Sequence, residues 1–389
     1  MNNKKAHIAI IAIFLVFTFA FSVLFFAIPK TDYSSTEKRH LAQMPEVSLE
    51  NFFSGKLTTA LEGGTQAGYI ADHFPFRSFF VGLNSYWNLG IGSTASNGYY
   101  FAQDGYIITK PSQVNDSDLV LSRINQFSAS FDEVAMMVVP SAGYMLQEKL
   151  PLNRVDYPDA QVYDYILANK AENISFCDVR DTFTQMHRQG TQIYYRTDHH
   201  WTSEGAYAAY REVCSVLGQE PVEREAYNVT TYNNFFGTTY SSSGYFLRDP
   251  DTIQVWENKA LADSIKVSIS EIRDGEEVTE SFDSMYFESH LQEDDMYPVF
   301  LDGNHRLVTI ENSKAKTDET LLLLKDSFAH CMAPFLAENY SKIVMVDLRY
   351  YAEDVTALAQ SEGVDKVLML YGMDSFCTDA TSFANLVFY

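Results

Sequence analysis

The chain has 389 residues, a formal net charge of −23 and a hydrophobic fraction of 46%. This length and apolar content predict one large or two smaller globular units and argue against a disordered chain. So acidic a surface repels phosphate backbones, which argues against nucleic-acid binding, and no basic amphipathic stretch offers peripheral binding to anionic lipid.

An apolar run at the start of the chain predicts a membrane anchor. Residues 6–28 are almost all apolar and follow Lys4 and Lys5. At about 1.5 Å per residue the run can cross a bilayer core of about 30 Å, and the two lysines place residues 1–5 in the cytoplasm. The run exceeds a usual signal-peptide core and has no small-residue cleavage site, so an uncleaved signal anchor is predicted. The rest of the chain is then expected to be extracytoplasmic.

Residues 29–90 are predicted to form a juxtamembrane linker and a helical segment. The amphipathic stretch 51–72 leads into the string Asp-His-Phe-Pro-Phe-Arg at 72–77. Proline disfavours the helical conformation in the residue before it. A helix is therefore expected to stop near Ala71 and to restart after Pro75.

Residues 91–389 have the pattern of an α/β domain. A hairpin around Asp104-Gly105 comes first. Buried strands then alternate with helices, the strands at 134–139, 174–179, 321–324, 342–346 and 366–370, the helices at 116–128, 157–170, 182–188, 203–217 and 328–339. Residues from about 221 to 300 are rich in Thr, Tyr, Ser and Asn and predict an antiparallel or irregular insertion. Continuous apolar strands alternating with helices predict a parallel sheet flanked by helices.

The four cysteines give no sign of a metal centre. None forms a CxxC pair or stands at zinc-ligand spacing with a histidine. Buried, free thiols are the expectation, with a disulfide as the alternative. Neither a metal nor a cofactor is predicted for this chain.

Ser327 follows an apolar strand and precedes a helix. A serine at the carboxyl end of a buried parallel strand lies where open α/β sheets bind ligands, and the amides of the following helix suit a developing oxyanion. Two roles remain open from position alone: a nucleophile, or simply the helix N-cap.

The loop at 196–202 places Asp198 beside two histidines, His199 and His200, and before Trp201. A carboxylate can orient a histidine and stabilise its imidazolium, as a Ser-His-Asp arrangement requires. A surface loop without function and a metal site are the alternatives, although no third protein ligand is identifiable.

Several strings together resemble the DHHW family of bacterial surface proteins. Thr-Asp-His-His-Trp at 197–201 is the eponymous string, and the other matches are 72–77, 104–106, 235–238, 300–305 and 325–328. The chain is also similar, more distantly, to the SGNH-hydrolase-like proteins of alginate O-acetylation, which carry an Asp-x-His pair before the nucleophilic Ser. The resemblance implies an SGNH-like fold, with Ser327 as nucleophile, His200 as general base and Asp198 as its orienting acid. Because His199 is adjacent, it remains the alternative base.

SGNH enzymes supply oxyanion donors from a Gly and an Asn on loops after later strands, and this sequence departs from that pattern. Asp374 stands where the Asn is expected, and the loop that contains Arg349 has no Gly. The N–H groups of Ser327 and Phe328 remain as donors, and Arg349 can compensate. Gly303, Asn304 and Trp201 complete the predicted substrate-binding set, with a turn and a core position as the respective alternatives.

The resemblance implies a serine-dependent enzyme that transfers O-acetyl groups to a cell-surface polysaccharide. An acyl donor must then reach the extracytoplasmic side, which implies a polytopic membrane acyltransferase as partner. An esterase or deacetylase with the same three residues, and a non-catalytic glycan-binding scaffold of the same fold, are the alternatives.

Overall fold

The structure, a computed structural model, describes residues 3–34, 39–63, 68–261 and 263–387. The remaining residues lie outside the description, among them two of the predicted cytoplasmic tail, eight of the predicted 29–90 segment, one of the predicted insertion and the last two of the chain. The described residues divide into two compact units, 1–97 with 241–246, and 98–240 with 247–389.

The first unit is mainly helical. Its elements are α1 (Asn3–Ala27), β1 (Tyr33–Ser34), β2 (Arg39–His40), α2 (Leu49–Phe53), α3 (Lys56–Glu62), α4 (Tyr69–Asp72), α5 (Arg77–Gly90) and β3 (Ala95–Ser96). In the described part of the chain, one helix is long and apolar enough to cross a membrane, at Lys4–Ala27. The predicted break at Pro75 is present, since α4 ends at Asp72 and α5 starts at Arg77.

The second unit contains the α/β alternation that the sequence predicts. It begins with β4 (Tyr99–Phe101), β5 (Ile107–Thr109), α6 (Ser117–Ser128), β6 (Val134–Val139), α7 (Ala142–Met145), α8 (Asp159–Asn169), β7 (Ile174–Phe176), α9 (Arg180–Arg188) and α10 (Ser203–Leu217). β4 and β5 pair antiparallel, which is the predicted hairpin. Gly218 ends α10 with φ +71°, a conformation that glycine adopts without strain.

The later elements include the other six strands of the main sheet. They are β8 (Asn228–Phe235), α11 (Thr238–Ser243), β9 (Asp251–Glu257), β10 (Ile265–Arg273), β11 (Glu276–Phe282), β12 (Leu307–Asn312), β13 (Thr317–Lys325), α12 (Phe328–Leu336), β14 (Tyr340–Val346), α13 (Val355–Glu362), β15 (Lys366–Gly372), α14 (Met373–Thr378) and α15 (Ala380–Phe383). β8 and β9 pair antiparallel as a separate sheet.

The main sheet has the order β11-β10-β12-β14-β13-β15-β6-β7. The strands from β14 to β7 are parallel, whereas β12, β10 and β11 extend the sheet antiparallel at one edge. The four leucines of β13 at 321–324 are fully buried, as a strand covered on both faces requires. The predicted α/β fold, a large sheet flanked by helices after an N-terminal apolar helix, is confirmed.

Candidate active site

Ser327 stands between the end of β13 and the start of α12. Because β13 is an interior strand with a fully buried apolar run, the core fixes the position of this strand end. The Ser327 side chain makes no capping hydrogen bond to α12. Its Oγ lies 2.7 Å from Nε2 of His200 instead. Of the two roles that its position allows, the Ser327 hydroxyl therefore bonds to a histidine and does not cap α12.

His200 connects Ser327 to Asp198. Its Nδ1 lies 2.6 Å from Asp198 Oδ2, and both side chains are almost completely buried. Burial opposes ionisation of Asp198, but His200, His199 and hydrogen bonds outweigh it and hold the pKa of the carboxyl well below its usual range. An ionised carboxylate only accepts, so His200 Nδ1 donates to Asp198, and Nε2 is the ring atom that faces the Ser327 hydroxyl. This chain of hydrogen bonds allows His200 to remove the proton of the Ser327 hydroxyl during attack on an ester.

Thr238 holds the other oxygen of Asp198. Asp198 Oδ1 accepts from the backbone N–H of Thr238 at 2.7 Å and from its hydroxyl at 2.8 Å. A Cβ built on Gly237 would lie 2.1 Å from the Cβ of Asp198, so only glycine fits at that position. The string at 235–238 therefore has a physical explanation: it packs against the carboxylate and orients it.

His199 lies beside this chain of hydrogen bonds. Its Nδ1 is 2.6 Å from the Thr238 hydroxyl, which donates to Asp198 and so accepts from the His199 ring. Partial burial, with repulsion from His200, lowers the pKa of His199 to about 4, so the ring is neutral at pH 7. It is 40% exposed and lines a cleft. Of the two adjacent histidines, it is His200 that contacts Ser327.

The same loop offers a potential set of metal ligands. Asp198, His199 and His200 present ligand atoms that all lie within 4.8 Å of one another. Both ring nitrogens of His200 already bond to protein atoms, to Asp198 and to Ser327. A metal ion would have to displace one of these partners, so the arrangement fits proton transfer better than metal binding.

Two supporting residues were not predicted from the sequence. The Tyr297 ring stacks on His200 at a centroid distance of 3.7 Å and an interplanar angle of 4°, and its hydroxyl donates to the Ser327 carbonyl at 3.1 Å. Asp251 accepts from the N–H and the hydroxyl of Thr197, both at 2.7 Å, and so fixes the histidine loop. Neither residue belongs to a local pattern, since their partners are distant in sequence.

Comparison with known proteins identifies the fold that carries this site. Residues 101–277 match the family model described as SGNH hydrolase-like domain, acetyltransferase AlgX. This part of the chain, somewhat less than half of it, is thus similar to an SGNH hydrolase-like domain. No curated protein matches the chain.

Two solved structures share the fold. A DHHW family protein from Eubacterium siraeum is 23% identical, with a TM-score of 0.62 over 75% of this chain and 96% of its own. Bacillus cereus PatB1 with a sulfonyl adduct is 19% identical, with a TM-score of 0.62 over 73% of this chain and 97% of its own. The predicted similarity to the alginate acetylation proteins is confirmed by the family model, and the likeness to the DHHW family protein shows that the two chains share a fold.

A cleft of about 220 Å³ in the SGNH-like domain opens beside the serine. Ser327, Asp198 and His199 line it, together with Arg349 and Asp374 of the predicted substrate-binding set. The guanidinium of Arg349 bonds to Asp347 at 2.6 and 2.8 Å, so a buried carboxylate fixes its position. Asp374 is exposed. Both residues therefore line the same cleft as Ser327.

Other members of the predicted substrate-binding set require correction. The Phe328 N–H donates to Asp326 Oδ1 at 3.0 Å, so it is not available to an oxyanion. Trp201 is fully buried and donates to the Phe328 carbonyl at 3.0 Å, so it is a core residue and cannot stack on a sugar. Gly303, with φ +91°, lies in a turn, and Asn304 accepts from Arg349 at 3.0 Å. Neither Gly303 nor Asn304 is among the residues that line the cleft.

Proposed function

We propose that this chain is a membrane-anchored, extracytoplasmic, serine-dependent acyl-ester enzyme that transfers O-acetyl groups to a cell-surface polysaccharide. The observation that carries the proposal is the continuous hydrogen-bond chain from Ser327 through His200 to the ionised Asp198, next to an open cleft. The match to the AlgX acetyltransferase model supports acyl chemistry.

The first half of the reaction would acylate the serine. Ser327 Oγ attacks the carbonyl carbon of an acetyl ester while His200 Nε2 takes the hydroxyl proton, and Asp198 stabilises the imidazolium. The tetrahedral intermediate then breaks its bond to the donor alcohol, which leaves with the proton from His200. Acetyl-Ser327 and a neutral His200 remain.

The second half would pass the acetyl group to a sugar. A sugar hydroxyl gives its proton to His200 Nε2 and its oxygen attacks the acetyl carbon. The ester bond to Ser327 breaks, and Ser327 Oγ regains a proton from His200. With water as the acceptor, the same steps make the protein an esterase or deacetylase.

The oxyanion would be stabilised by the donors that remain free. The N–H of Ser327 has no protein partner among the described residues. Arg349 Nε and Nη2 bond to Asp347 and Asn304, which leaves Nη1 as the second donor. Loss of one such donor costs roughly 3 to 4 kcal/mol of transition-state stabilisation. In this hypothesis a large part of the oxyanion stabilisation therefore depends on Arg349.

The localisation and partners are part of the proposal. The exposed apolar helix α1 supports a membrane anchor at residues 6–28, with the remainder extracytoplasmic. Transfer requires an acyl donor on that side, so a polytopic membrane acyltransferase would supply it, and a cell-surface polysaccharide would accept it. No cofactor takes part in the steps above.

Hydrolysis of a small acetyl chromogenic ester by the full chain in detergent tests the proposal. We expect Ser327→Ala and His200→Ala each to reduce kcat/KM by roughly 10³-fold or more, because both are needed to form the acyl-enzyme. His199→Ala is the matched control and should stay within roughly tenfold of wild type, since His199 does not contact the serine. Adding polysaccharide acceptors then distinguishes transfer from hydrolysis by the acetylated product.

The opposite outcomes are informative. A large loss in His199→Ala with activity retained in His200→Ala would assign the base to His199. Activity retained in Ser327→Ala would remove the serine as nucleophile. A wild type without activity, both alone and with a membrane acyl donor, would favour a glycan-binding scaffold.

A further inference from the structure

Helix α5 presents one face to the interior of the first unit. The Ser85 hydroxyl donates to the Ser243 carbonyl at 2.8 Å, and a Cβ on Gly82 would lie 3.0 Å from the Phe246 ring. Both Ser85 and Gly82 are buried. These contacts fix the rotation of α5 about its axis, so the opposite face must point outward.

The outward face is apolar. It consists of Phe76, Phe79, Leu83, Trp87 and Ile91, whose exposed fractions are 59%, 64%, 53%, 67% and 67%. Phe79, Leu83 and Trp87 recur every four residues on one side of α5, and Phe76 and Ile91 flank its two ends. We term these five residues the α5 stripe. Soluble proteins seldom expose so continuous an apolar surface unless it meets a partner or a membrane.

The charge of this segment differs from that of the chain. The whole sequence has 51 acidic residues, yet α5 contains no acidic residue and a single basic one, Arg77 at its start. Arg77 donates to the Ala71 carbonyl at 3.1 Å. A face without charge suits an apolar environment and gives no electrostatic basis for recognising a charged protein partner.

The same segment packs on the membrane-crossing helix. Phe21 of α1 stacks on Phe74 at 5.3 Å and lies 5.8 Å from Phe80, while Phe25 lies 6.0 Å from Tyr69. Phe21 belongs to the apolar run that would cross the bilayer. The rings of Phe74, Phe80 and Tyr69 contact α1 near the outer end of this run, and we therefore expect them at the depth of the lipid.

We propose that α5 lies in the plane of the bilayer surface, with the α5 stripe buried among lipid chains beside α1. This inference rests on the proposed membrane anchor and adds a second, in-plane contact with lipid. Trp87 fits such a place, because tryptophan side chains concentrate at membrane interfaces. Since the net charge of −23 opposes attraction to anionic lipid, apolar burial in uncharged lipid supplies the binding.

The three tryptophans of the chain allow a direct test. Trp201 and Trp256 are 0% and 2% exposed, so Trp87 is the tryptophan that lipid can reach. The full chain is reconstituted into phosphatidylcholine vesicles with and without bromine on the acyl chains, next to Trp87→Phe as the blank. We expect bromine to remove roughly half or more of the Trp87 fluorescence, because interfacial helices insert to the level of the upper acyl chains.

A second variant separates this inference from the anchor. Phe14 lies on α1 and is 64% exposed, so Phe14→Trp in the Trp87→Phe background reports α1 alone. Quenching of both reporters supports the in-plane helix. Quenching of Phe14→Trp without quenching of Trp87 overturns the inference while the anchor stands. This result is expected if the α5 stripe binds a protein partner rather than lipid, because the vesicles contain no such partner and Trp87 would then stay in water. Quenching of neither overturns the anchor and the inference together.

Discussion

Each group of the Ser327–His200–Asp198 chain has its hydrogen-bonding role fixed by a neighbour. Asp198 is ionised and accepts four bonds, two from His200 and two from Thr238. Tyr297 covers one face of the His200 ring. A base held in one orientation and one tautomer loses little entropy when it accepts a proton, which is what general-base catalysis requires.

Substitution of Thr238 tests how much its hydrogen bonds to Asp198 contribute to catalysis. Thr238→Val keeps the side-chain volume but removes the hydroxyl that bonds to Asp198 and His199. We expect kcat/KM for the acetyl ester to fall about tenfold, because about one hydrogen bond to a charged group is lost. Thr238→Ser restores the hydroxyl and should recover most of the activity, measured beside the thermal midpoint of each variant. A loss that Thr238→Ser does not recover would indicate a packing role.

At the scale of elements, strand ends position the chemistry. β13 delivers Ser327, and the loop before α10 delivers the histidine and aspartate. The end of β6 is tied to the start of α8, where Asp159 accepts from the N–H and the hydroxyl of Ser141 at 2.7 and 3.1 Å. Ser141 lines the cleft, so this tie supports one of its walls.

Asp159 should make stability depend on pH. Burial, against the bonds from Ser141, raises the pKa of the Asp159 carboxyl from 3.8 to about 6. The folded state therefore binds the carboxyl proton of Asp159 more tightly than the unfolded state. The stability that this proton contributes is fully present below the unfolded pKa of about 3.8 and is lost as the pH rises through about 6. Relative to Asp159→Asn, the wild type should lose roughly 2 to 3 kcal/mol of unfolding free energy between about pH 4 and pH 7. Urea unfolding of both proteins in one detergent measures it, and parallel pH curves would contradict the prediction.

At the scale of the whole molecule, the cysteines are core residues. Cys177, Cys214, Cys331 and Cys377 are free and buried, as the sequence predicted. Burial raises the pKa of each thiol to about 12. The thiols therefore stay protonated and enclosed at neutral pH, and the fold does not draw stability from disulfides among them.

Two measurements check this. The thermal midpoint should be the same with and without a reductant. Alkylation of the native chain near pH 8 should be on the order of a thousandfold slower than that of the unfolded chain, because a pKa near 12 leaves very little thiolate. The unfolded chain, in which all four thiols react, is the control. A midpoint that drops on reduction would indicate an intermolecular disulfide.

The extent of what could be predicted follows from which signals are local. The apolar helix at 6–28, the break at Pro75 and the α/β alternation depend on hydrophobic periodicity and proline chemistry, which neighbouring residues carry. The position of Ser327 after an apolar strand is equally local. The catalytic roles of Ser327, His200 and Asp198 stay predictions until the ester assay is done.

The class of fold, the apolar helix and the candidate site residues could be inferred from local sequence patterns alone. The choice between two adjacent histidines as the partner of Ser327 needed the folded structure, because it depends on Thr238 and Tyr297, about 40 and 100 residues away in the chain. The folded structure also shows that Trp201 is buried and that Asp326 occupies the Phe328 amide. These outcomes depend on contacts between distant segments, and packing geometry of that kind leaves no local pattern in a single sequence.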